Sequence, residues 1–492
     1  MQIGTYQNIR GHLLFLKDSY RGGYNYTNPA ESTLASVNLY VNNISEDGTL
    51  SRVSAGNFRS YLIPHEGESV SSFSSRIKIA SYINLVQPVV SAYVDSVMTK
   101  KIERTFGKLE NHMSDNVDFQ GSSYEEFLKN VAIDACVEGW TFVFVDVNPE
   151  DPTKIRYVVI DPTKVELIAV DDFGKIIDFA FVTQSEVANA SAPAVQNITL
   201  VRINSDGIHT LKGNVNYEKG YDINKLEKVE TIELAPGLNG KLPIVTCFYQ
   251  KDTSSIIPVG ISLIETQAAI GREVYNLQSY AQDILRMHFP QLTYPIKGSG
   301  GGGGELTPEA ARAMGTTVAL TYDSETNPPN YINPSKDSTD ALKAQSDWLI
   351  EKAMAAAYLD LNSSSGVNSS GFALTIKSRE FENAVKRFSS ELSKFEKKLL
   401  QVSSEVLGIS GDPGFVVRYP DKFSPNDIAS ALQTAKTVLD ISKEYNIGTV
   451  AKQEALIFIV TNALGLSDEI AASVIKEIRN LNKDIPAVSQ SQ

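Results

Sequence analysis

Cysteine is nearly absent: Cys136 and Cys247 are the only two in 492 residues. Two distant thiols make no disulfide framework, and without a Cys-x-x-Cys pair they make no zinc site. Cys136 falls in a helical pattern and Cys247 in an apolar strand-like run, so both are expected to be buried and inert. Histidine is scarce as well. His12, His65, His112, His209 and His288 fall in five different contexts, none with His-x-x-x-His spacing, so neither a metal centre nor any other cofactor is expected. No apolar run reaches the roughly eighteen residues of a membrane-spanning helix, and no membrane partner is expected. The first sixteen residues lack a basic stretch followed by an apolar core, so no signal peptide is expected either. Positive charge is in deficit, with Lys+Arg 45 against Asp+Glu 58 and a net charge of −13. A protein that grips nucleic acid by its phosphates usually carries the opposite sign.

Catalytic signatures are missing too. The run Gly298-Ser299-Gly300-Gly301-Gly302-Gly303-Gly304 contains Gly298-x-Gly300-x-x-Gly303, but any glycine run matches that pattern. No Gly-Lys-Ser/Thr follows, and Pro295 stands beside it. Asp172-Phe173-Gly174 mimics a kinase motif without a His-Arg-Asp loop, and between two strand patterns it reads as a hairpin turn. There is no Gly-x-Ser-x-Gly elbow, and no acid pair stands out as a general acid and base. The chain is expected not to be an enzyme.

What is present is length and pattern. At 42% apolar the chain can build a core, and 492 residues suit two to four domains of about 150 each. After an irregular polar start comes Tyr61-Leu62-Ile63-Pro64-His65-Glu66-Gly67-Glu68, then Arg76. A helical period follows through Ile79, Ile83, Val86, Val90, Val94 and Val97. Pro88 inside it predicts a kink or two shorter helices. A helix is predicted over Tyr124–Glu138, ending at Gly139. From Trp140 the period changes, and strands are predicted at 141–147, 155–160, 165–170, 175–182, 198–203 and 244–249. A long helix is predicted over Val259–Met287, roughly 45 Å at 1.5 Å per residue. A Pro- and Gly-rich excursion with strand-like pieces and a short helix candidate at Thr307–Met314 comes next. A second long helix over Ser338–Leu361 then breaks into a Ser/Asn/Gly loop.

Beyond that loop Leu374, Phe381, Val385, Phe388, Leu392, Phe395, Leu399, Val402 and Val406 recur at spacings of seven, then alternating four and three. This is the period of a knobs-into-holes seam, read here as packing within the chain. Basic residues on the same stretch, Lys377, Arg379, Lys386, Arg387, Lys394, Lys397 and Lys398, alternate with Glu380, Glu382, Glu391 and Glu396. The plain reading is a solvated or subunit-facing helix surface with i,i+4 pairs. The sharper one is that Lys377 and Arg379, nearest the loop, face passing phosphates. Ser424-Pro425-Asn426-Asp427 opens a helical tail.

The order of parts carries a resemblance. The Tyr61-Leu62-x-Pro64…Glu segment with its Arg helix comes first. A β-rich part with Asp161-Pro162 and the Asp172-Phe173-Gly174 hairpin follows. Then come helix, excursion, helix, Ser/Gly loop, and a helix opened by Ser370-Gly371-Phe372-Ala373-Leu374, before the tail headed by Phe423-Ser424-Pro425-Asn426-Asp427. Over nearly its whole length the chain resembles the portal proteins of tailed bacteriophages, the head-tail connectors of the virion.

The resemblance implies an α+β fold of portal-like architecture. It places a β-rich α/β wing at 1–258, stem helices at 259–289 and 338–361, and a small clip at 290–337. A tunnel loop falls at 362–372, a long wing helix and its return at 373–423, and a helical crown at 424–492. It implies a DNA-channel loop of Asn362, Ser363, Ser364, Ser365, Gly366, Val367, Asn368, Ser369, Ser370 and Gly371. It places adaptor docking on the clip, at Tyr294, Lys297, Gly300, Gly303 and Tyr322. The implied role is a dodecameric ring at one capsid vertex, made in the host cytoplasm. Such a ring meets the major capsid protein and scaffold, the terminase large subunit and a neck or tail adaptor. Double-stranded DNA passes through it during packaging and ejection without specific binding. An acidic chain with a Ser/Asn/Gly constriction offers few phosphate anchors, as a low-friction conduit should. The alternatives are a coiled-coil scaffold or interaction protein of a virion, which leaves the strands unexplained, and an enzyme with a cryptic site.

Overall fold

The computed structural model describes residues 2–29, 60–99, 101–148, 151–187, 195–216, 221–287, 293–296, 320–323, 336–359 and 371–420, apart from a few positions within them. The chain divides into two units, Met1–Asp421 and Lys422–Gln492. The expected crown and the helix candidate at Thr307–Met314 lie outside the described residues. The architecture mixes helix and sheet, as the α+β reading expects. The described helices are α1 (Arg10–Arg21), α2 (Gly23–Thr27), α3 (Val70–Ile79), α4 (Val86–Met98), α5 (Tyr124–Glu138), α6 (Glu265–Met287), α7 (Lys336–Ala356) and α8 (Gly371–Val406). None of them is long and apolar enough to cross a membrane.

Local chemistry sets several of these bounds. The Ser123 hydroxyl accepts from the Glu126 N–H while the Glu126 carboxylate accepts from the Ser123 N–H, a capping box that starts α5. Gly139, at φ 92°, ends it. The apolar period around Pro88 resolves into two helices, α3 and α4. Asn84 Oδ1 accepts from the N–H groups of Val86 and Gln87, so α4 starts there. Pro88 then sits in the first turn, where its missing N–H is not needed.

Every strand expected from the sequence is present, the two strand-like pieces of the excursion included, and five more besides among the described residues. They are β1 (Gln2–Gly4), β2 (Glu103–Thr105), β3 (Trp140–Val147), β4 (Ile155–Ile160), β5 (Val165–Val170), β6 (Ile176–Val187), β7 (Val195–Asn204), β8 (Gly207–Asn216), β9 (Glu227–Ile232), β10 (Ile244–Phe248), β11 (Thr293–Ile296), β12 (Leu320–Asp323) and β13 (Val416–Arg418). A six-stranded antiparallel sheet runs β1-β5-β6-β7-β8-β9 and a three-stranded one β10-β3-β4. Asp171-Asp172-Phe173-Gly174 is the tight turn between β5 and β6. Asp171 Oδ1 accepts from the N–H groups of Phe173 and Lys175, and Gly174 takes φ 79°.

Three expected helix bounds need correction. The first long helix starts at Glu265, not Val259. Residues before it pair across the fold instead: Ile261 N–H donates to Gln250 O at 2.8 Å, and Leu263 N–H to Cys136 O at 3.0 Å. A Cβ on Gly260 would lie 2.1 Å from Gly139 O, so glycine alone permits this approach. The second long helix runs Lys336–Ala356, not to Leu361. Tyr358 takes the left-handed φ of 58°, with Leu359 N–H bonded to Met354 O and Tyr358 N–H to Ala355 O, a closing pattern that stops the helix. The third begins at Gly371 rather than after it. Glycine is tolerated in a first turn because those N–H groups lack helical partners anyway.

The core is held by buried charges as well as apolar packing. Arg76 on α3 has no solvent exposure. Its Nε and Nη2 donate to the Glu68 carboxylate at 2.8 and 2.7 Å, and Nη2 also to Ile63 O. Nη1 donates to Ser279 on α6, and the guanidinium sits over the rings of Phe73 and Tyr280. A second cluster docks α1. Lys17 pairs with Asp161 and stands 3.4 Å from the Glu138 carboxylate, with Asp134 one turn back on α5. Burial raises Glu138 well above its ordinary range, Asp161 adding to the effect. Burial also lifts Asp134 to about 6, against the pull of Lys17. Burial would raise Asp161 too, but the Lys17 charge and hydrogen bonds from Lys17 and Thr163 hold it near about 2.

Two outcomes follow from these clusters. Arg76→Ala removes the buried ion pair with Glu68 and the bonds to Ile63 O and Ser279, and should cost about 3–5 kcal/mol, read as a fall in the thermal midpoint, while replacing both partners of the ion pair by apolar residues should cost less. Glu138 and Asp134 bind protons in the folded chain that the unfolded chain has released. Their contribution is therefore complete near pH 4 and lost as pH rises through their raised values. Glu138→Gln should lose less stability than the parent chain between pH 5 and 8, measured as midpoints across that range.

Candidate functional site

The segment singled out as a channel loop connects α7 to α8. Its positions 362–370 lie outside the described residues, so the site is built from what flanks them. The two flanks converge on α4. Tyr93, buried on α4, donates its hydroxyl to Ala357 O at 3.2 Å, just past the end of α7. The Tyr93 ring meets Phe381 of α8 edge-on at 5.0 Å between centroids. Tyr249 extends the cluster to Phe388, at 5.3 Å. From below, Gln267 on α6 donates to Ala353 O at 3.0 Å. The start of α6 therefore stands beside the end of α7, and the two run antiparallel and packed together.

The long helix α8 uses its apolar seam within the chain, as expected. Val385, Phe388, Leu392, Phe395, Leu399 and Val402 are buried, and the helix packs on β10, β3, α4 and β13. Tyr157 on β4 bonds Ser403 at 3.0 Å. The charged residues divide. Lys394 pairs with Glu391 at 2.6 Å, in keeping with a solvated face. Glu396 does not belong to that face. It is fully buried, and its carboxylate takes Arg104 Nε at 2.7 Å and the Tyr419 hydroxyl at 2.6 Å. A position that alternates with lysines in sequence is here the anchor for β2 and β13.

Arg379 is exposed on α8, followed around the same side by Asn383, Lys386, Arg387 and Ser390. Lys377 lies two residues earlier on the helix. Arg387 forms a ridge between two open grooves. One is lined by Tyr358, Glu380, Asn383 and Lys386, the other by Tyr249, Lys251, Thr253, Glu391 and Lys394. The grooves carry more cations than carboxylates, a local reversal of the chain's net sign. Such a strip attracts phosphate weakly and in a salt-dependent way. Tyr93, Gln267 and Tyr249 were not singled out from the sequence, where each reads as an ordinary core or helix residue.

Between α6 and α7 in the chain, Tyr294 and Tyr322 fall on β11 and β12, which pair in parallel with Tyr294 opposite Thr321 and Tyr322 opposite Pro295. Lys297, Gly300 and Gly303 lie outside the described residues. Elsewhere, Cys136 and Cys247 are buried, and burial raises both thiols. His12 pairs with Glu265 and His112 with Thr153 O, while His209 lies within reach of Asn204 and Thr231. Among the described residues no group of three or more His, Cys, Asp or Glu is placed to hold a metal.

No protein-family model matches the chain, and no curated protein matches it. Solved structures do. The chain is similar to one from the neck of an empty gene transfer agent particle, computed with C6 symmetry, at 11% identity and a TM-score of 0.39, covering 80% of this chain and 90% of that one. It is also similar to a chain of the virion of a native gene transfer agent particle, at 11% identity and a TM-score of 0.38, covering 80% of this chain and 89% of that one.

Tyr93→Phe keeps the ring against Phe381 and removes the bond to Ala357 O. Losing one such bond costs about 1 kcal/mol. Hydrogen exchange at Ala357–Leu359 should speed up by roughly fivefold while the core strands stay unchanged.

Proposed function

We propose that the chain is a structural subunit of a phage-type virion, and specifically its portal protein. Copies form a closed ring at one capsid vertex, and DNA is packaged and ejected through the centre. The observation that carries this reading is the arrangement around α6 and α7. An antiparallel helix pair has the paired strands β11 and β12 between its two members in the chain. Just past the end of α7, Ala357 O takes the Tyr93 hydroxyl, and the Tyr93 ring meets Phe381 of α8. A subunit built this way has a stem, a protrusion for an adaptor, and a loop suited to a constriction. The six- and three-stranded sheets with α8 form the wing around it.

The mechanism asks little chemistry of the chain. Terminase supplies the ATP hydrolysis, and the ring supplies a docking platform and a smooth bore. An acidic subunit with a Ser/Asn/Gly connection holds DNA loosely, and the cationic strip near Arg379 and Arg387 gives at most a light, salt-sensitive touch. The scaffold alternative is weakened by the seam of α8, which from Val385 to Val402 is spent on packing inside the subunit.

Purified chain should reach a mass near twelve subunits by native mass measurement and should turn over neither ATP nor DNA. Only monomers and dimers at every concentration would count against the ring. Replacing Ser364 and Ser369 by Lys should leave rings intact and slow packaging, because each substitution adds a circle of positive charge along the phosphates. Packaging at the parent rate and density would remove the loop from the constriction.

A further inference from the structure

The exposed side of α8 carries charge of one sign. From position 383 to 401 the fully exposed cations are Lys386, Arg387, Lys394, Lys397 and Lys398. The other fully exposed residues of this stretch are the neutral Asn383, Ser390 and Gln401. At 3.6 residues per turn all of them fall within about 120° of one side of the helix and extend over about 27 Å. The buried seam of Phe388, Leu392 and Leu399 lies on the opposite side. Carboxylates stand only at the margins of this stripe. Glu391 is half-buried and pairs with Lys394 at 2.6 Å. Exposed Glu380 precedes the stripe, and Glu405 beyond it is paired with Lys241 at 2.8 Å.

Solvated helix faces usually mix their signs, since like charges three or four residues apart weaken a helix. Lys394 stands at those two spacings from Lys397 and Lys398. The whole chain is acidic, at −13, so this run of cations is a local exception. Its first turns also border apolar surface. Tyr358, 39% exposed, stands in a groove with Glu380, Asn383, Lys386 and Arg387. On the other side of Arg387, the apolar Tyr249, Ala384 and Phe388 share a cavity of about 610 Å³ with Lys251, Glu391 and Lys394.

Spacing and composition choose the occupant. The cations follow the 5.4 Å pitch of an α-helix, and a second helix with a carboxylate on each turn of one side has that same pitch. Duplex DNA does not match it, because its strands wind once in about 34 Å and carry their phosphates away from a straight stripe. A phosphate backbone also has nothing to set beside Tyr358 or in the apolar cavity. An amphipathic helix does, with side chains at three- and four-residue intervals.

We propose that α8 from Asn383 to Gln401 docks an acidic amphipathic helix of another protein. Its carboxylates lie along the cationic stripe, and its apolar side chains rest beside Tyr358 and in the cavity next to Arg387. The surface lies within one subunit, so this does not depend on the ring reading.

The full-length chain is titrated against a dye-labelled helical peptide of about twenty residues, long enough to cover the stripe. The peptide carries Glu on every turn of one side with Leu beside it, and fluorescence anisotropy reports binding. The controls are a peptide of the same composition in scrambled order and a labelled duplex of about twenty base pairs. The helical peptide should bind at least about tenfold more tightly than either, and less tightly as salt rises. Lys386→Glu, Lys397→Glu and Lys398→Glu together should weaken binding roughly tenfold or more. The same triple variant should keep the parent's thermal midpoint, since all three positions are exposed, and should prefer a peptide with Lys in place of Glu. Absence of binding, equal binding of the scrambled peptide, or tighter binding of the duplex would overturn the proposal. So would a triple variant that binds like the parent. Binding that is lost when copies assemble would place the stripe between copies and overturn it as well.

Discussion

A guanidinium with no access to water must find every partner inside the protein, and Arg76 does. Its bonds reach back to the 63–68 segment and across to Ser279 on α6, and its flat faces are covered by Phe73 and Tyr280. Two separate pieces of chain, the 63–68 segment and α3, are thereby fixed to one helix, α6. The rest of the described fold is arranged around that helix. α6 receives α1 through His12 and Arg272, which lies over Phe15. It receives the tyrosine cluster of Tyr26, Tyr61 and Tyr82 through Tyr275, and α7 along its length. Near its start, the close approach of Gly260 to Gly139 ties it to the end of α5.

The same logic recurs at longer range. Glu396 binds Arg104 and Tyr419, and Lys17 on α1 answers Glu138 at the end of α5 and Asp161 beyond it. Buried pairs of this kind add little net stability over apolar packing, but half of one is costly to bury. They make wrong registers expensive.

The legible part of the fold was the part governed by local period. α5 matched its predicted bounds because a capping box and a left-handed glycine mark both ends in sequence. The strands from β3 to β7 announced themselves by β-branched and aromatic runs. β8 and β9 did not, because Gly207, Gly213 and the charged, wholly exposed Glu227–Ile232 look like connecting chain. The start of α6 was misplaced for a different reason. Residues 259–263 have helical spacing, but their hydrogen bonds go to Gln250 and Cys136, which no local pattern reveals. Glu396 misled in the same way, since a carboxylate among lysines reads as solvated until a partner from β2 reaches it. Of the site, the order of helices was readable and the anchor on Tyr93 was not, because that contact joins positions far apart in the chain.

The parallel pairing of β11 and β12 carries a topological consequence. Strands that run the same way cannot be closed by a tight turn. The chain leaving Ile296 has to travel back along the full strand before it re-enters at Leu320. That return needs only about 13 Å, four extended residues' worth, and positions 297–319 supply several times as much contour. Contour beyond that minimum is inexpensive to vary, since loop-closure entropy changes only with the logarithm of length, so changes of length between Ile296 and Leu320 leave the pairing of the two strands open to the same register.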